Sequence, residues 1–74
     1  MPKLPVLSGE QAVRAFERAG WRRDRQRGSH VTLIREHSPL VLTVPLHDSL
    51  GPGILRALIR KANLTVEEFT AFLR

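Results

Sequence analysis

The middle of the chain constrains the fold most, because its apolar segments are short and the gaps between them are shorter still. Residues 29–36 alternate between apolar and polar side chains, which predicts a strand, and residues 40–44 predict another strand that ends at Pro45. Residues 21–27 are rich in charge and lie just before Gly28, so they form either a loop or the first arm of a hairpin. Such short gaps favour antiparallel neighbours over a parallel sheet.

Alternation also assigns side chains to the two faces of the sheet. In the predicted strand over residues 29–36, Val31 and Leu33 share one face, whereas His30, Thr32 and Ile34 share the other. If the charged segment before Gly28 is a strand, strict alternation divides its side chains into two sets: Trp21, Arg23 and Arg25 on one face, and Arg22, Asp24 and Gln26 on the other. Helices that cover the Val31 face would leave the His30 face open.

The segment before the strands predicts a helix. Residues 9–19 have apolar side chains at helical spacing, and Ser8 and Gln11 have the spacing of a capping box at its start. Gly20 suits the left-handed position that ends a helix. Residues 1–7 contain two prolines and predict an extended lead-in.

The segment after the strands predicts two more helices. One begins at Pro52, a residue type favoured at the first helical position, and ends at Asn63, which tolerates left-handed backbone. Its predicted apolar stripe includes Ile54. A short final helix follows, because Thr65 and Glu68 repeat the capping-box spacing.

The predicted order is therefore one helix, three strands, a second helix and a short third helix. Two helices on one face of a three-stranded antiparallel sheet make a small two-layer α+β domain. A chain of 74 residues has the length of one such domain, so we predict a single domain over residues 1–74. The other face of the sheet would be bare and basic.

The charge of the chain indicates a polyanionic partner. Twelve lysine and arginine residues against seven acidic residues give a net charge of +5 at pH 7. Seven of the ten arginines lie between Arg14 and Arg35, and arginine binds phosphate through a planar, bidentate group. Nucleic acid is the first candidate, and a solubilising surface is the alternative. The sequence has no cysteine and predicts no signal peptide or membrane span, so we expect a cytoplasmic protein.

His30 is the main candidate for catalysis, because imidazole accepts and donates protons near neutral pH. Metal-free RNA cleavage needs a base for the 2′-hydroxyl, an acid for the leaving oxygen and positive charge at the phosphorane. His30 suits the role of base or acid. Its neighbours suit phosphate binding: Arg23, Arg25, Arg27, Gly28 and Ser29. An exposed strand histidine without a role is the alternative.

His47 is a second candidate, because it follows a strand end, where functional loops often lie. Its alternative is a loop histidine without a function, and His37 beside Ser-Pro is interpreted as structural. A metal site formed by Asp24, His30, His47 and Asp48 is not supported, because no pair of them has a diagnostic spacing. We therefore expect no metal and no small-molecule cofactor.

Five motifs occur in an order and spacing typical of one known family. They are Gly20-Trp21, Arg-Gln-Arg-Gly-Ser-His at 25–30, Val-Pro-Leu-His at 44–47, Gly-Ile-Leu-Arg at 53–56 and Leu-Thr-Val-Glu-Glu-Phe at 64–69. From Ser8 onward the chain resembles the HicA family of small toxins. It departs from the family at Ile54, where threonine is common, and at Asn63, where glycine is usual.

The resemblance implies a fold like that of a double-stranded-RNA-binding domain, with the order α-β-β-β-α. It also implies an endoribonuclease that cleaves mRNA and inhibits translation, neutralised by a HicB-type antitoxin of a type II toxin–antitoxin system. The catalytic histidine of the family's Gly-Ser-His motif falls on His30, and the histidine of its Val-Pro-x-His motif falls on His47. We expect the antitoxin to cover the His30 face.

Two other functions fit the same residues. A double-stranded-RNA-like binding module without catalysis needs the basic surface but not His30. A pure interaction domain would use the basic face to meet an acidic antitoxin and would have no affinity for RNA.

Overall fold

The computed structural model describes residues 3–73, and residues 1 and 2 of the predicted lead-in lie outside the described residues. Helices and strands follow one another as α1 (Gly9–Arg18), β1 (Arg22–Arg27), β2 (His30–Ile34), β3 (Val41–Pro45), α2 (Pro52–Lys61) and α3 (Val66–Ala71). The α+β class and the α-β-β-β-α order are confirmed. Within residues 3–73, no helix is both long and apolar enough to cross a membrane.

The three strands form an antiparallel sheet in the order β1-β2-β3. A two-residue turn joins β1 to β2, since Arg27 pairs with His30 across it. β2, predicted over 29–36, begins one residue later and ends two residues earlier. β3, predicted over 40–44, begins and ends one residue later, so that it includes Pro45. Proline is tolerated at that position because β3 is an edge strand, where an outward-facing residue needs no N–H for the ladder.

The core lies between the helices and one face of the sheet. Alternate side chains of β2 and β3 are buried against it: Val31, Leu33, Leu42 and Val44. Phe16 on α1 and Phe69 on α3 meet there with their ring centroids 4.9 Å apart. Ile54 was predicted within the apolar stripe of α2, but it is 44% exposed. It lies in the first turn of α2, whereas Leu55 provides the buried contact there.

Local sequence features fix the helix ends as predicted. The Ser8 side chain accepts a hydrogen bond from the Gln11 N–H at 3.1 Å, and the Gln11 side chain accepts one from the Ser8 N–H at 2.9 Å. The start of α3 carries the same reciprocal pair. Gly20 and Asn63 both have positive φ, 105° and 62°, just beyond the ends of α1 and α2. These are the left-handed positions that glycine and asparagine favour.

β1 differs from the other strands because all six of its residues are exposed. Its register along β2 shifts once: Arg23 pairs with Leu33 and Arg25 with Thr32, so Asp24 is the extra residue of a bulge. A bulge interrupts the alternation of a strand. Arg23 therefore shares the face of buried Leu33, and Arg25 lies on the opposite face. The prediction that these two arginines share a face was wrong for this reason.

The start of α1 rests directly on the end of β3. Gly9 is buried, and its N–H donates a hydrogen bond to the His47 carbonyl at 2.8 Å. A Cβ atom at Gly9 would lie 2.0 Å from the Pro45 carbonyl oxygen and 2.7 Å from the Leu46 Cα. Only glycine fits this contact without a backbone shift, and the contact fixes the loop that carries His47.

Candidate functional site

The open face of the sheet carries a shallow cavity of about 240 Å³, which we call the basic depression. Its lining comes from all three strands: Arg25 and Arg27 of β1, His30 and Thr32 of β2, and Thr43 of β3. The register explains this grouping, because Arg27 pairs with His30, and Arg25 and Thr43 flank Thr32. Directly paired residues of an antiparallel sheet point to the same face.

His30 lies at the first position of β2, between Arg27 on one side and Pro45 on the other. It is exposed, as are Arg25 and Arg27. An imidazole in this position can exchange protons with a bound ligand, and the two guanidinium groups beside it can hold an anionic oxygen. The depression therefore combines a proton-transfer group with fixed positive charge.

The turn that precedes His30 has the chemistry of a two-residue hairpin. Gly28 takes the first central position with a φ of 59°, and Ser29 is not among the residues with positive φ. Glycine followed by a residue with ordinary φ is typical of the type II′ turn. The Gln26 side-chain amide donates to the Gly28 carbonyl at 3.0 Å. Gly28 thus has a structural reason to be glycine, besides its predicted role in phosphate binding.

Ser29 connects the turn to the third strand. Its carbonyl accepts a hydrogen bond from the Leu46 N–H at 2.6 Å, which continues the β2–β3 ladder beyond the assigned strands. His30 follows Ser29 and His47 follows Leu46, so both histidines lie at the same end of the sheet. His47 is exposed but does not line the basic depression.

Arg23 lies apart from the depression. Its guanidinium makes ion pairs with two carboxylates of α1, a hydrogen-bonded one with Glu10 and one with Glu17 at 3.5 Å. The hydrogen bond from Arg23 lowers the pKa of Glu10 below its ordinary value, and the same bond raises the pKa of Arg23. Arg23, which the sequence predicted as an RNA-binding residue, is therefore not part of the basic depression that holds Arg25, Arg27 and His30.

Positive charge dominates the basic depression. The Arg25 side chain has one acidic neighbour, Asp24, at 3.8 Å, and both side chains are largely exposed. An exposed pair of this kind holds its partners only weakly. Among residues 3–73, Arg27 has no ion pair within 4.0 Å. Both arginines are thus available to an incoming phosphate.

Sequence reasoning missed the two threonines of the depression as site residues. Alternation had placed Thr32 on the His30 face, but the position of Thr43 depends on the pairing of β3 with β2. Hydroxyl groups here add neutral hydrogen-bond donors beside the arginines. In the part of the chain that the structure describes, no three histidine or acidic side chains converge as a metal site would require.

The comparison with protein families decides where the chain belongs. Residues 9–64 match the family model described as the HicA toxin of bacterial toxin–antitoxin systems. The chain belongs to the HicA toxin family. It is accordingly a toxin of a toxin–antitoxin system, and a cognate antitoxin is its partner. A comparison with curated proteins found no significant match. The matched range of this HicA-family chain runs from the buried Gly9 to Leu64, three residues beyond the end of α2, and includes the whole basic depression.

Proposed function

We propose that this HicA-family toxin is a metal-independent endoribonuclease that cleaves mRNA and thereby inhibits translation. The observation that carries the proposal is the basic depression, where His30 lines the same cavity as two arginines of β1 and one threonine each of β2 and β3. A single-stranded or duplex RNA backbone would bring a phosphate group to Arg25 and Arg27. The 2′-hydroxyl next to that phosphate would then lie within reach of His30.

The proposed reaction is an internal transesterification. The 2′-oxygen attacks the adjacent phosphorus, the P–O5′ bond breaks, and a 2′,3′-cyclic phosphate and a free 5′-hydroxyl result. His30 either removes the 2′-hydroxyl proton as a general base or protonates the 5′-oxygen as a general acid. Arg25 and Arg27 stabilise the negative charge that develops on the phosphorane oxygens. His47, at the same end of the sheet, is the candidate for the second proton transfer.

We further propose that a HicB-type antitoxin neutralises the toxin by covering the His30 face. Arg25, Arg27 and His30 are exposed on the open face, which therefore presents positive charge to a partner. An antitoxin with acidic side chains over the depression would occupy the phosphate position and exclude RNA. Because mRNA is the substrate, the proposed compartment is the cytoplasm.

The test is cleavage of a labelled mRNA fragment by the purified chain in the presence of a metal chelator. His30→Ala should abolish cleavage and leave the fold intact. His37→Asn is the matched control, since His37 lies in an exposed turn with a φ of 61° that asparagine tolerates. Cleavage products should carry a cyclic phosphate. Equal cleavage by the unmodified chain and His30→Ala would refute the role of His30.

A second pair of variants tests the arginines. Arg25→Gln should weaken RNA binding and cleavage, because it removes a charge from the depression. Arg23→Gln removes the same charge from the opposite face, where Arg23 is paired with Glu10 and Glu17. Arg23→Gln should reduce RNA binding and cleavage less than Arg25→Gln does. Equal loss in both variants would show that general charge, rather than the basic depression, binds RNA.

One observation favours a non-catalytic RNA-binding module as the alternative. Catalytic histidines are commonly oriented by a hydrogen bond that the ring N–H donates to a third group. Among residues 3–73, no side chain or backbone group is hydrogen-bonded to the His30 ring. RNA binding that survives His30→Ala, with no cleavage by the unmodified chain, would select this alternative.

A further inference from the structure

The outer edge of β3 is an open strand edge whose hydrogen-bonding pattern can be read from the register. The Leu46 N–H donates to the Ser29 carbonyl, so Ser29 and Leu46 form a hydrogen-bonded pair. Such pairs alternate along an antiparallel ladder. The N–H and C=O groups of Leu42 and Val44 therefore point inward, toward β2. Those of the intervening residues of β3 point outward, away from the sheet.

The outward positions of β3 are Val41, Thr43 and Pro45. Pro45 has no N–H to offer, and its carbonyl is covered by Gly9, since a Cβ there would lie 2.0 Å from that oxygen. Val41 and Thr43 remain open. In the described part of the chain, neither makes a backbone hydrogen bond outside the sheet. The free edge thus has two N–H and two C=O groups, placed symmetrically on either side of Leu42.

The side chains around this edge lack the charges that usually protect one. Residues 38–46 contain no charged side chain. Leu40 and Val41 are 40% and 41% exposed. Edge strands are normally blunted by charge, by proline or by a covering element. The proline of β3, Pro45, closes only the last outward position of the strand. The other edge of the sheet, β1, has four arginines among its six residues, so like charges protect it against pairing with a copy of itself.

We propose that a second copy of this chain pairs with β3 in antiparallel fashion, about a two-fold axis at Leu42. In that register Val41 of each copy pairs with Thr43 of the other, and each pair exchanges two main-chain hydrogen bonds. All four open groups of each edge are then satisfied. Val41 packs beside the Thr43 methyl group on the open face, and the Leu40 side chains add apolar contact.

A second copy fits this edge better than an unrelated strand for two reasons. The open groups lie symmetrically about Leu42, so the edge is its own complement under a two-fold rotation, as an isologous interface requires. The edge also lies in the longest stretch without a charged side chain, residues 38–46, of a chain with a net charge of +5. Two copies can approach there without bringing like charges into direct contact, and the remaining repulsion between them is long-range and screened by salt.

Sedimentation velocity of the full chain tests the proposal, at concentrations from about 1 µM to about 1 mM. The mass should rise from the monomer value of 8.4 kDa toward twice that value. Self-association should strengthen when salt is added, because screening reduces the repulsion between two basic chains. Over the same concentration range, NMR should show concentration-dependent chemical shifts for the Val41 and Thr43 amides. Hydrogen exchange of these two amides should slow as the concentration rises, whereas the Leu42 amide should be protected at every concentration.

Val41→Lys is the decisive variant, and Ile54→Lys is its matched control. Both replace an exposed aliphatic side chain, 41% and 44% exposed, with the same charge, but Ile54 lies on α2. Val41→Lys should raise the dimer dissociation constant at least about tenfold, because a charge at an edge opposes strand pairing. Ile54→Lys should leave it within about twofold, since it lies outside the paired strand. Circular dichroism confirms that each variant is folded.

Three results would overturn the proposal. The first is a monomer at the highest concentration. The second is a dimer that Val41→Lys and Ile54→Lys weaken equally. The third is a dimer in which the Val41 and Thr43 amides exchange as fast as in the monomer, which would place the interface on another surface.

Discussion

Replacing Gly9 with alanine tests the packing that joins α1 to the end of β3. The added Cβ would lie 2.0 Å from the Pro45 carbonyl oxygen, 2.7 Å from the Leu46 Cα and 2.9 Å from the Pro45 carbonyl carbon. All three atoms belong to the backbone, so no side-chain rotation relieves the overlap. Either α1 or the end of β3 must move by about 1 Å, well beyond the small adjustments that a packed interior allows.

The size of the effect follows from three contributions. Overpacking at a buried site costs about 1–3 kcal/mol, and the backbone overlap puts Gly9→Ala at the upper end. Loss of the hydrogen bond from the Gly9 N–H to the His47 carbonyl costs about 1 kcal/mol. The higher helix propensity of alanine offsets at most about 1 kcal/mol of this destabilisation. The free energy of unfolding should therefore fall by about 3 kcal/mol, which lowers Tm by about 12–24 °C in a domain of this size.

The assay is thermal unfolding followed by circular dichroism, supported by urea titration. Gly53→Ala is the control, because a Cβ at Gly53 meets no atom within 4 Å and Gly53 lies inside α2. That variant should raise the free energy of unfolding by up to about 1 kcal/mol through helix propensity alone. A Tm for Gly9→Ala equal to that of the unmodified chain would refute the close contact between α1 and β3.

Three further predictions concern other local contacts. Ser8→Ala removes half of the capping box of α1 and should lower the free energy of unfolding by about 1 kcal/mol in urea titration; an unchanged value would show that the cap contributes nothing. Asn63→Gly should raise that free energy by up to about 1 kcal/mol and Asn63→Ala should lower it, because Asn63 has a φ of 62° that penalises a Cβ; a less stable glycine variant would contradict this. Arg23 holds the pKa of Glu10 below its ordinary value of 4.5, so this pair stabilises the fold above pH 4.5 and the stabilisation is lost as the pH falls through the lower folded-state pKa. Arg23→Gln should therefore flatten the pH dependence of unfolding below pH 4.5, as measured by urea titrations at a series of pH values, and an unchanged slope would exclude the pair as its source.

Features encoded within a few residues were predictable from the sequence. The capping boxes at Ser8 and Thr65 depend on a contact three residues along the chain. The left-handed positions at Gly20 and Asn63 depend on a single residue type. The apolar alternation of β2 fixed the face on which His30 lies, because each strand residue takes its side from its neighbours. These local rules gave the order of the elements and the strand that carries His30.

Features that depend on pairing between distant residues were not predictable. The sequence of β1 has low strand propensity and no buried residue, and only its ladder with β2 makes it a strand. The bulge at Asp24 follows from the same ladder, and it turns Arg23 away from Arg25. Thr43 joined the candidate site only through the register of β3. A residue's membership of the basic depression was therefore decided by register, which local patterns leave open.

Because β1 is exposed, we expect its local stability to be lower than that of the helices and the β2–β3 pair. Because none of its six side chains is buried, detaching β1 breaks its hydrogen bonds to β2 and the ion pairs of Arg23 but exposes little apolar surface. Openings of this kind are sub-global, with a free energy well below that of complete unfolding. We therefore expect Arg25 and Arg27 to detach with β1 while α1, α2 and the β2–β3 pair stay folded. Any ligand that bridges Arg27 and His30 would hold β1 in place, so binding and local order on this face are thermodynamically linked.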